Sequence, residues 1–367
     1  MKRTKTIIAA ISRTLLGVVF VFSGAVKAID PFGTVYKIED YLKAFGGFFA
    51  DLLPLAEVAA VVLILLEVVL GVCMVLNVRT QWTSWLALAF YAVMTPLTLF
   101  IAINNPVSDC GCFGDAIILT NWQTFWKNVV LIALAIILVL LRKSVYPLWR
   151  GYMEIIIALI TASITFAFME YTFRHLPVMD FRPYKIGNHI PTLMEYPEDA
   201  EADVYEFSFV YEKDGVEETF TLENYPKGDS TWTFVRQESK LIQKGYEPPI
   251  HDFEIINAEY EDLTWDILES EDPVTLVVMY DLAKADKKQI DKIEALCVTC
   301  QLSNVNCYIL TGSSTDEIMA FSMEYPALSE HICTCDPVTL KTIVRANPGV
   351  IVVQNGVVID KYNLNNK

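Results

Sequence analysis

The sequence predicts an α-helical membrane bundle of about five transmembrane helices, followed by an α/β extracytoplasmic domain with a preceding β-hairpin. Three observations predict this division. Hydrophobic residues make up 53% of the chain, and the mean hydropathy is positive. The first half contains five apolar runs of about 20 residues, the length that spans a hydrocarbon core. Residues 1–170 contain 12 Lys and Arg against 10 Asp and Glu, whereas residues 171–367 contain 16 against 34.

The apolar runs predict the transmembrane helices directly. In lipid the backbone must satisfy its own hydrogen bonds, so a single run that crosses the membrane has to be helical. Aromatic side chains lie at several ends of the runs, as they do in interfacial belts. The five predicted spans are Ile7–Ile29, Pro54–Leu76, Trp82–Ile103, Trp122–Leu141 and Trp149–Tyr171.

The basic residues between the spans predict the orientation. Lys and Arg mark the N-terminus and the segments after the second and fourth spans, and they accumulate on the cytoplasmic side of membrane proteins. The protein is therefore expected in the bacterial inner membrane, with a cytoplasmic N-terminus and residues 172–367 in the periplasm. A cleaved signal peptide is the alternative for the first span; it would leave four spans in the same orientation. The basic residues are Lys2, Arg3, Lys5, Arg79, Arg142, Lys143 and Arg150.

The second half changes from hairpin to α/β patterning. Two alternating runs flank Lys213-Asp214-Gly215, which predicts a β-hairpin. From about residue 254, apolar strands at 274–280, 306–312 and 331–335 alternate with amphipathic helices at 287–301, 316–323 and 338–345. The segment 349–362 predicts a closing hairpin with Asn355-Gly356 as its turn.

Two families resemble parts of this sequence. The segments RTLLGVVFVFSGAVKAIDPFG (13–33), LLEVVLGV (65–72) and DCGCFGD followed by NWQTFWKN (109–128) resemble the DoxX/MauE group of membrane bundles. That resemblance covers residues 1–145 and implies a four-helix bundle linked to thiol, quinone or sulfur redox chemistry and to maturation of disulfide-containing enzymes. Residues 146–172 would add the fifth transmembrane helix.

The C-terminal part, residues 254–367, resembles the TlpA/thioredoxin-like domains, with 173–253 as linker and β-hairpin region. Pro348, in ANPGVIVVQNGVVI, stands where that family keeps a cis-proline. The family also places a Cys-x-x-Cys after the first of these strands, but this chain has DLAKADKK there, without cysteine. The resemblance therefore implies a degenerate module that lacks the usual exchange site.

Seven of the eight cysteines fall on the predicted outer side, where disulfides are expected. Cys110 and Cys112, separated by one glycine, are the first candidates for redox catalysis. The alternative is a structural disulfide that closes this loop. Cys333 and Cys335, at the carboxyl edge of a strand near Pro348, are the second. For Cys297, Cys300 and Cys307 we expect a structural disulfide, and Cys73 is expected to be buried. No metal site is predicted.

Four charged residues fall within or near the first two spans. If the two spans are antiparallel neighbours, the number of residues from each span end places Arg13 at the depth of Glu67 and Lys27 at the depth of Glu57. The sequence therefore predicts these two ion pairs. Charges at such depth are normally paired or line a polar cavity. These residues predict either structural ion pairs or a polar site for a headgroup or a quinone near Lys27.

Together these patterns predict a membrane-bound redox or redox-maturation protein of the envelope. Cys110 and Cys112 would pass electrons between a membrane carrier and the outer domain or an envelope thiol client. The rival hypothesis is a non-enzymatic membrane anchor that presents the degenerate module for protein binding. The acidic outer half argues against nucleic acid as a partner, and membrane lipid is the expected surrounding of the first half.

Overall fold

The computed structural model describes residues 2–107, 109–146, 148–149, 151–197, 199–201, 204–243 and 245–366. Arg150, one of the basic residues used for orientation, lies outside this set. The described residues form a helical first half and a second half with two β-sheets.

Six helices make up the described part of the first half. Among the described residues, five stretches are long and apolar enough to cross a membrane, and they begin and end within several residues of the predicted spans. The sixth helix, α2, lies in the segment predicted as the first outer connection. A 3-10 helix, Gly47–Leu55, leads from it into the second span. The helices are α1 (Lys2–Ile29), α2 (Pro31–Phe45), α3 (Ala56–Val75), α4 (Thr80–Asn104), α5 (Asn121–Leu141) and α6 (Tyr152–Arg174).

Close contact between α1 and α3 fixes how these helices align. A Cβ on Gly24 would lie 2.9 Å from the backbone nitrogen of Val68, and a Cβ on Gly71 would lie 2.6 Å from that of Val21. Glycine at both positions therefore lets the two backbones approach directly, as small residues do in membrane helix pairs. This contact determines which charged residues of the two helices meet.

The first sheet has three antiparallel strands in the order β2-β1-β3. The predicted hairpin is confirmed, since β1 and β2 pair and the turn residues Asp214 and Gly215 both have positive φ. The third strand was not predicted; its sequence, TFVRQESKLIQ, mixes charged and apolar residues without strict alternation. The strands are β1 (Val204–Lys213), β2 (Val216–Thr221) and β3 (Thr233–Gln243).

The second sheet has five strands in the order β6-β5-β4-β7-β8. Strands β4, β5 and β6 are parallel, whereas β7 and β8 are antiparallel to their neighbours. The predicted strands and helices of this region are confirmed with small shifts at their ends, and three short helices that were not predicted join them. The predicted elements are β4 (Val274–Val278), α9 (Lys287–Leu302), β5 (Asn306–Thr311), α10 (Thr315–Glu324), β6 (Ile332–Thr334), α12 (Pro337–Ile343), β7 (Gly349–Gln354) and β8 (Val357–Asn363). The additional helices are α7 (Ile190–Met194), α8 (Thr264–Leu268) and α11 (Pro326–Ser329).

Each face of this sheet has its own apolar core. One core includes Cys333, Cys335 and, from outside the predicted domain, Tyr184 and Ile190. The other lies under α9 and includes the remaining three cysteines of the domain. Part of the segment predicted as a linker, residues 184–194, therefore packs with the C-terminal sheet.

Candidate functional site

The Cys110-Gly111-Cys112 segment lies in the loop between α4 and α5, at the mouth of the helical bundle. Gly111 has a φ of +62°, a conformation that glycine adopts without steric cost. A Cβ there would also lie 2.8 Å from Cγ of Lys37. Glycine between the two cysteines is thus required both by the turn and by the packing of α2 against it.

Polar side chains of the helices bind the carbonyl groups of both cysteines. The Tyr41 hydroxyl on α2 donates to the Cys110 oxygen at 2.8 Å. On α1, Ser23 Oγ and Lys27 Nζ donate to the Cys112 oxygen at 2.7 and 2.9 Å. These bonds hold the loop in place over the bundle.

Lys27 forms a buried ion pair with Glu67 directly below this loop. Its Nζ lies 2.9 and 2.8 Å from the two carboxylate oxygens of Glu67 and 2.7 Å from Ser23 Oγ. Lys27 is 5% exposed and Glu67 is 3% exposed. All three ammonium protons therefore have acceptors, as a buried charge requires.

The predicted pairing of Arg13 with Glu67 and of Lys27 with Glu57 is wrong. Arg13 donates to the backbone oxygens of Met74 and Val75, near the end of α3, and Glu57 is exposed. Counting from the span ends failed because the glycine contacts align α1 with α3. Gly24 faces Val68, so Lys27 on the next turn reaches Glu67.

A cavity of about 70 Å³ lies between the loop and the helices. Tyr91 and Asn128, both buried, belong to its wall, and so does Lys127. No signal in the sequence pointed to Tyr91, whereas Lys127 and Asn128 form the Lys-Asn pair that follows the last tryptophan of the MauE-like segment. The other lining residues are Val19, Phe20, Ser23, Lys27, Thr34, Lys37, Ile38, Tyr41, Leu63, Glu67, Phe90, Met94, Cys110, Gly111, Cys112 and Phe113.

The two thiols have unequal surroundings. The pKa of Cys112 is lowered to about 6. The largest cause is a hydrogen bond from the Cys110 thiol, and the Lys127 and Lys27 ammonium groups lower this pKa further. The same hydrogen bond, together with burial, raises the pKa of Cys110. Cys112 is thus the thiolate of the pair, and Cys110 is its hydrogen-bond donor.

Asp109 and Asp115 flank the two cysteines in the sequence, and a carboxylate beside a thiol raises the pKa of that thiol. The structure instead pairs each of them with a cation. Asp109 lies 2.9 Å from Lys37 Nζ, and Asp115 lies 3.2 Å from Nη2 of Arg345. Their charges are therefore balanced locally, and Lys127, whose Nζ lies 4.3 Å from the Phe113 ring centroid, adds a positive charge on the other side of the loop.

Arg345 joins the α/β domain to the mouth of the bundle. The side chain is 7% exposed, and its Nε lies 2.9 Å from Asp30, the N-cap residue of α2. Nearby, the Tyr36 and Tyr280 hydroxyls are 3.4 Å apart. The α/β domain is thus docked on α2 and on the cysteine loop, through residues that no sequence motif identified.

Cys333 and Cys335 do not join this site. They lie in and just after β6, 2% and 7% exposed, and burial raises their pKa values to about 11 and about 12. The peptide before Pro348 is cis, as the resemblance implied. However, β6 lies three strands from β7, roughly 14 Å at the usual strand spacing, so the expected proximity of this pair to Pro348 is wrong.

The other cysteines lie elsewhere. Cys297 and Cys300 on α9 and Cys307 on β5 share one apolar core, and the sulfur atoms of Cys297 and Cys307 are 3.5 Å apart. Cys73 is buried in α3, as predicted. Among the residues that the structure describes, no three His, Cys, Asp or Glu side chains are arranged to bind a metal ion.

Two family models match parts of this chain. A domain of unknown function, DUF8463, matches residues 205–244, which include β1 to β3 of the first sheet. No curated protein and no solved structure matches the chain. Residues 5–141, which comprise helices α1 to α5 and the whole cysteine loop, match the family described as methylamine utilisation protein MauE and form a multi-pass membrane domain.

Proposed function

We propose that this protein is an envelope thiol/disulfide redox protein whose reactive centre is Cys110 and Cys112. The observation that supports this most is the pairing of a low-pKa thiol, Cys112, with a hydrogen-bonded partner thiol on a loop held by the buried Lys27–Glu67 pair. A thiolate is the attacking species in disulfide exchange. A structural disulfide that does not take part in exchange would not need the positive charges around Cys112.

The exchange itself requires only these two cysteines and a client disulfide. The Cys112 thiolate attacks one client sulfur and displaces the other as a thiolate, which forms a mixed disulfide. The Cys110 thiol then loses its proton and displaces the client. The Cys110–Cys112 disulfide forms, and the client receives two electrons and leaves as a dithiol. The reverse sequence oxidises a client.

The proposed location of the centre is the periplasmic side of a bacterial inner membrane. Lys and Arg flank the opposite ends of the helices, at Arg79 and Arg142. Exposed aromatic residues occur at both ends of the apolar helices: Trp82 and Trp85 at one, Phe48 and Trp122 at the other. On this proposal the loop and the C-terminal half of the chain share one aqueous compartment. The family name, which concerns methylamine utilisation, is consistent with maturation of an envelope enzyme as the task.

A quinone was the membrane carrier expected near Lys27. The cavity there measures about 70 Å³, roughly half of the ~150 Å³ that accommodates a benzene ring in an engineered protein cavity. It therefore does not enclose a quinone ring in this structure, although it has room for a few water molecules. The proposed exchange accordingly contains no quinone step.

The α/β domain is proposed to be a thioredoxin-like module without its own exchange site. Its strand order, the two antiparallel closing strands and the cis-proline support the fold. Its residues 281–288 contain no cysteine, which supports the rival role of a protein-binding module. Since Arg345 and Tyr280 dock its carboxyl edge on the bundle, the remaining surface would have to bind the partner.

Ellman's reagent, a small disulfide, tests the proposed centre in the full-length protein in detergent. In Cys110→Ser, the Cys112 thiolate should react rapidly at pH 7 and keep a mixed disulfide. In Cys112→Ser, the remaining thiol should react at least tenfold more slowly. The reduced wild type should release two equivalents of thiol rapidly and contain a 110–112 disulfide afterwards.

The double substitution Cys333→Ser with Cys335→Ser is the matched control and should leave all three results unchanged. Equal reactivity of the two single variants would contradict the assigned roles. Failure of the wild type to form the 110–112 disulfide would overturn the proposed function and leave a binding module as the better explanation.

A further inference from the structure

Three thiols in the α/β domain meet between a helix and a strand. Cys297 and Cys300 occupy positions i and i+3 of α9, so both project from one helix face. Cys307 is the second residue of β5, which packs under that face. All three are buried, with exposures of 5%, 7% and 6%. Their position is the amino edge of β5, away from the edge that docks on the membrane bundle.

Cys307 is the shared neighbour of the two helix cysteines. Its sulfur lies 3.5 Å from that of Cys297, and Cys300 is also within hydrogen-bonding reach of it. A sulfur separation of 3.5 Å exceeds the S–S bond length of about 2 Å by an amount that side-chain rotation can close. The structure therefore brings together one strand thiol and two alternative helix partners.

We propose that Cys297 and Cys307 form a disulfide that ties α9 to β5, and that Cys300 remains a thiol able to replace Cys297. The inference rests on the periplasmic location proposed above but not on the exchange at Cys110 and Cys112. The bond forms during folding, before the core closes. A thiolate of the pair attacks an incoming protein disulfide, and its partner thiol displaces that carrier, which leaves as a dithiol with two electrons.

The sequence itself provides a way to read the pairing. Trypsin leaves all five cysteines of the domain in one peptide, because no Lys or Arg lies between Lys292 and Lys341. Chymotrypsin can cleave after Leu296, Leu302 and Tyr308, which separates CVTCQL from SNVNCY. These two peptides stay joined only if a disulfide connects the helix to the strand, and fragmentation then shows which helix cysteine is bonded.

The experiment is non-reducing peptide mapping of full-length protein that is alkylated under denaturing conditions before digestion. The wild type should give the joined peptides bonded through Cys297. Cys300→Ser should keep that bond, Cys297→Ser should move it to Cys300, and Cys307→Ser should abolish it. If Cys307→Ser does not fold, the first two variants still decide between the partners.

Separate peptides in the wild type would overturn the inference, and so would a bond from Cys307 to Cys333 or Cys335. Stoichiometric zinc released on alkylation of unlinked thiols would overturn it as well. A membrane-impermeant label on spheroplasts, applied to the exposed Lys284, tests the location independently. Labelled protein with separate peptides refutes the disulfide alone, whereas protein that stays unlabelled refutes the location on which it rests.

Discussion

The same side chain has two different surroundings in this protein. Around Cys110 and Cys112, ammonium groups, carboxylates and hydroxyls converge on a loop at the mouth of the bundle. Around Cys297, Cys300 and Cys307, the neighbours are apolar residues of the sheet core. Positive charges beside a thiol favour a reactive thiolate, whereas an apolar core favours an inert thiol or a permanent bond. The surroundings, rather than the spacing of the cysteines, separate a reactive site from a structural one.

The largest expected effect comes from breaking the buried pair below the reactive loop. Glu67→Ala leaves the Lys27 ammonium buried without its counter-charge. Lys27→Ala leaves the Glu67 carboxylate buried without its counter-charge. Removing one partner of a buried pair typically costs about 3–5 kcal/mol. We expect both variants to lose most folded protein, measured as the monodisperse yield in detergent and as thermal unfolding.

The double variant Lys27→Met with Glu67→Met is the control for that prediction. It removes both charges and keeps similar volume, so stability should largely return. Thiolate reactivity at Cys112 should fall only slightly, because the Lys27 ammonium lowers the pKa of this thiol and the Glu67 carboxylate raises it. A double variant as unstable as the single ones would show that packing, not charge balance, determines the effect.

The next effect concerns the docking of the α/β domain. Arg345→Ala leaves Asp30 and Asp115 without their shared cation, so the domain should dock less tightly on the bundle. Limited proteolysis in the segment 175–188 should become severalfold faster than in the wild type. Arg345→Lys should restore part of the protection, since a lysine keeps the charge but cannot bind both carboxylates through a planar fork.

Lys288→Ala is the matched control for docking, because Lys288 is an exposed cation of the same domain. It should not change the rate of cleavage. Unchanged proteolysis of Arg345→Ala would mean that the apolar and aromatic contacts alone hold the domain.

A smaller effect is expected in the pH dependence of alkylation at Cys112. With a pKa of about 6, the thiolate fraction is about 90% at pH 7 and about 10% at pH 5. The rate should therefore fall as the pH drops through 6. Lys127→Met removes a positive charge near the thiolate, so the midpoint should move upward, by about 1 pH unit for about 1.4 kcal/mol of lost interaction.

Lys143→Met, at the other end of the same span, is the control and should leave the midpoint in place. Iodoacetamide labelling across pH 5–8, read by peptide mass spectrometry, measures both variants. A midpoint near 8.5 in the wild type, the usual value for a free thiol, would contradict the electrostatic assignment of Cys112.

The smallest effect is expected at Glu57, which sequence reasoning paired with Lys27. The structure leaves Glu57 exposed, so Glu57→Ala should change stability by less than about 0.5 kcal/mol. Thermal unfolding beside Glu67→Ala provides the comparison. A loss of stability as large as that of Glu67→Ala would instead support the predicted pairing of Glu57 with Lys27.

The sequence predicted much of the fold because its signals are local. Apolar runs gave the five spans, and Asp214-Gly215 and Asn355-Gly356 gave two hairpin turns that the structure confirms. The helix α2 was missed, because it is short and mixes charged with aromatic residues in a segment that looked like a polar connection. The strand β3 was missed because its alternation is weak.

The sequence identified the cysteines and the buried charged residues of the site. It did not identify the side chains that link the cysteine loop to the helices and to the α/β domain. Ser23, Tyr41 and Arg345 have no distinguishing local pattern. Each becomes part of the site only because a helix or a domain brings it to the loop. Arg345 is 230 residues away from Asp115 in the chain, a distance over which no spacing rule applies.

The sequence by itself determined the membrane spans, the division of charge and the chemistry available at Cys-Gly-Cys. These depend on the length, polarity and reactivity of neighbouring residues. Tertiary structure decided which charges meet: Lys27 reaches Glu67 because glycines on α1 and α3 set the alignment of those helices. It also separated the reactive thiol from the buried ones, since the pKa of a thiol depends on the charges and the solvent around it, and distant parts of the chain provide both.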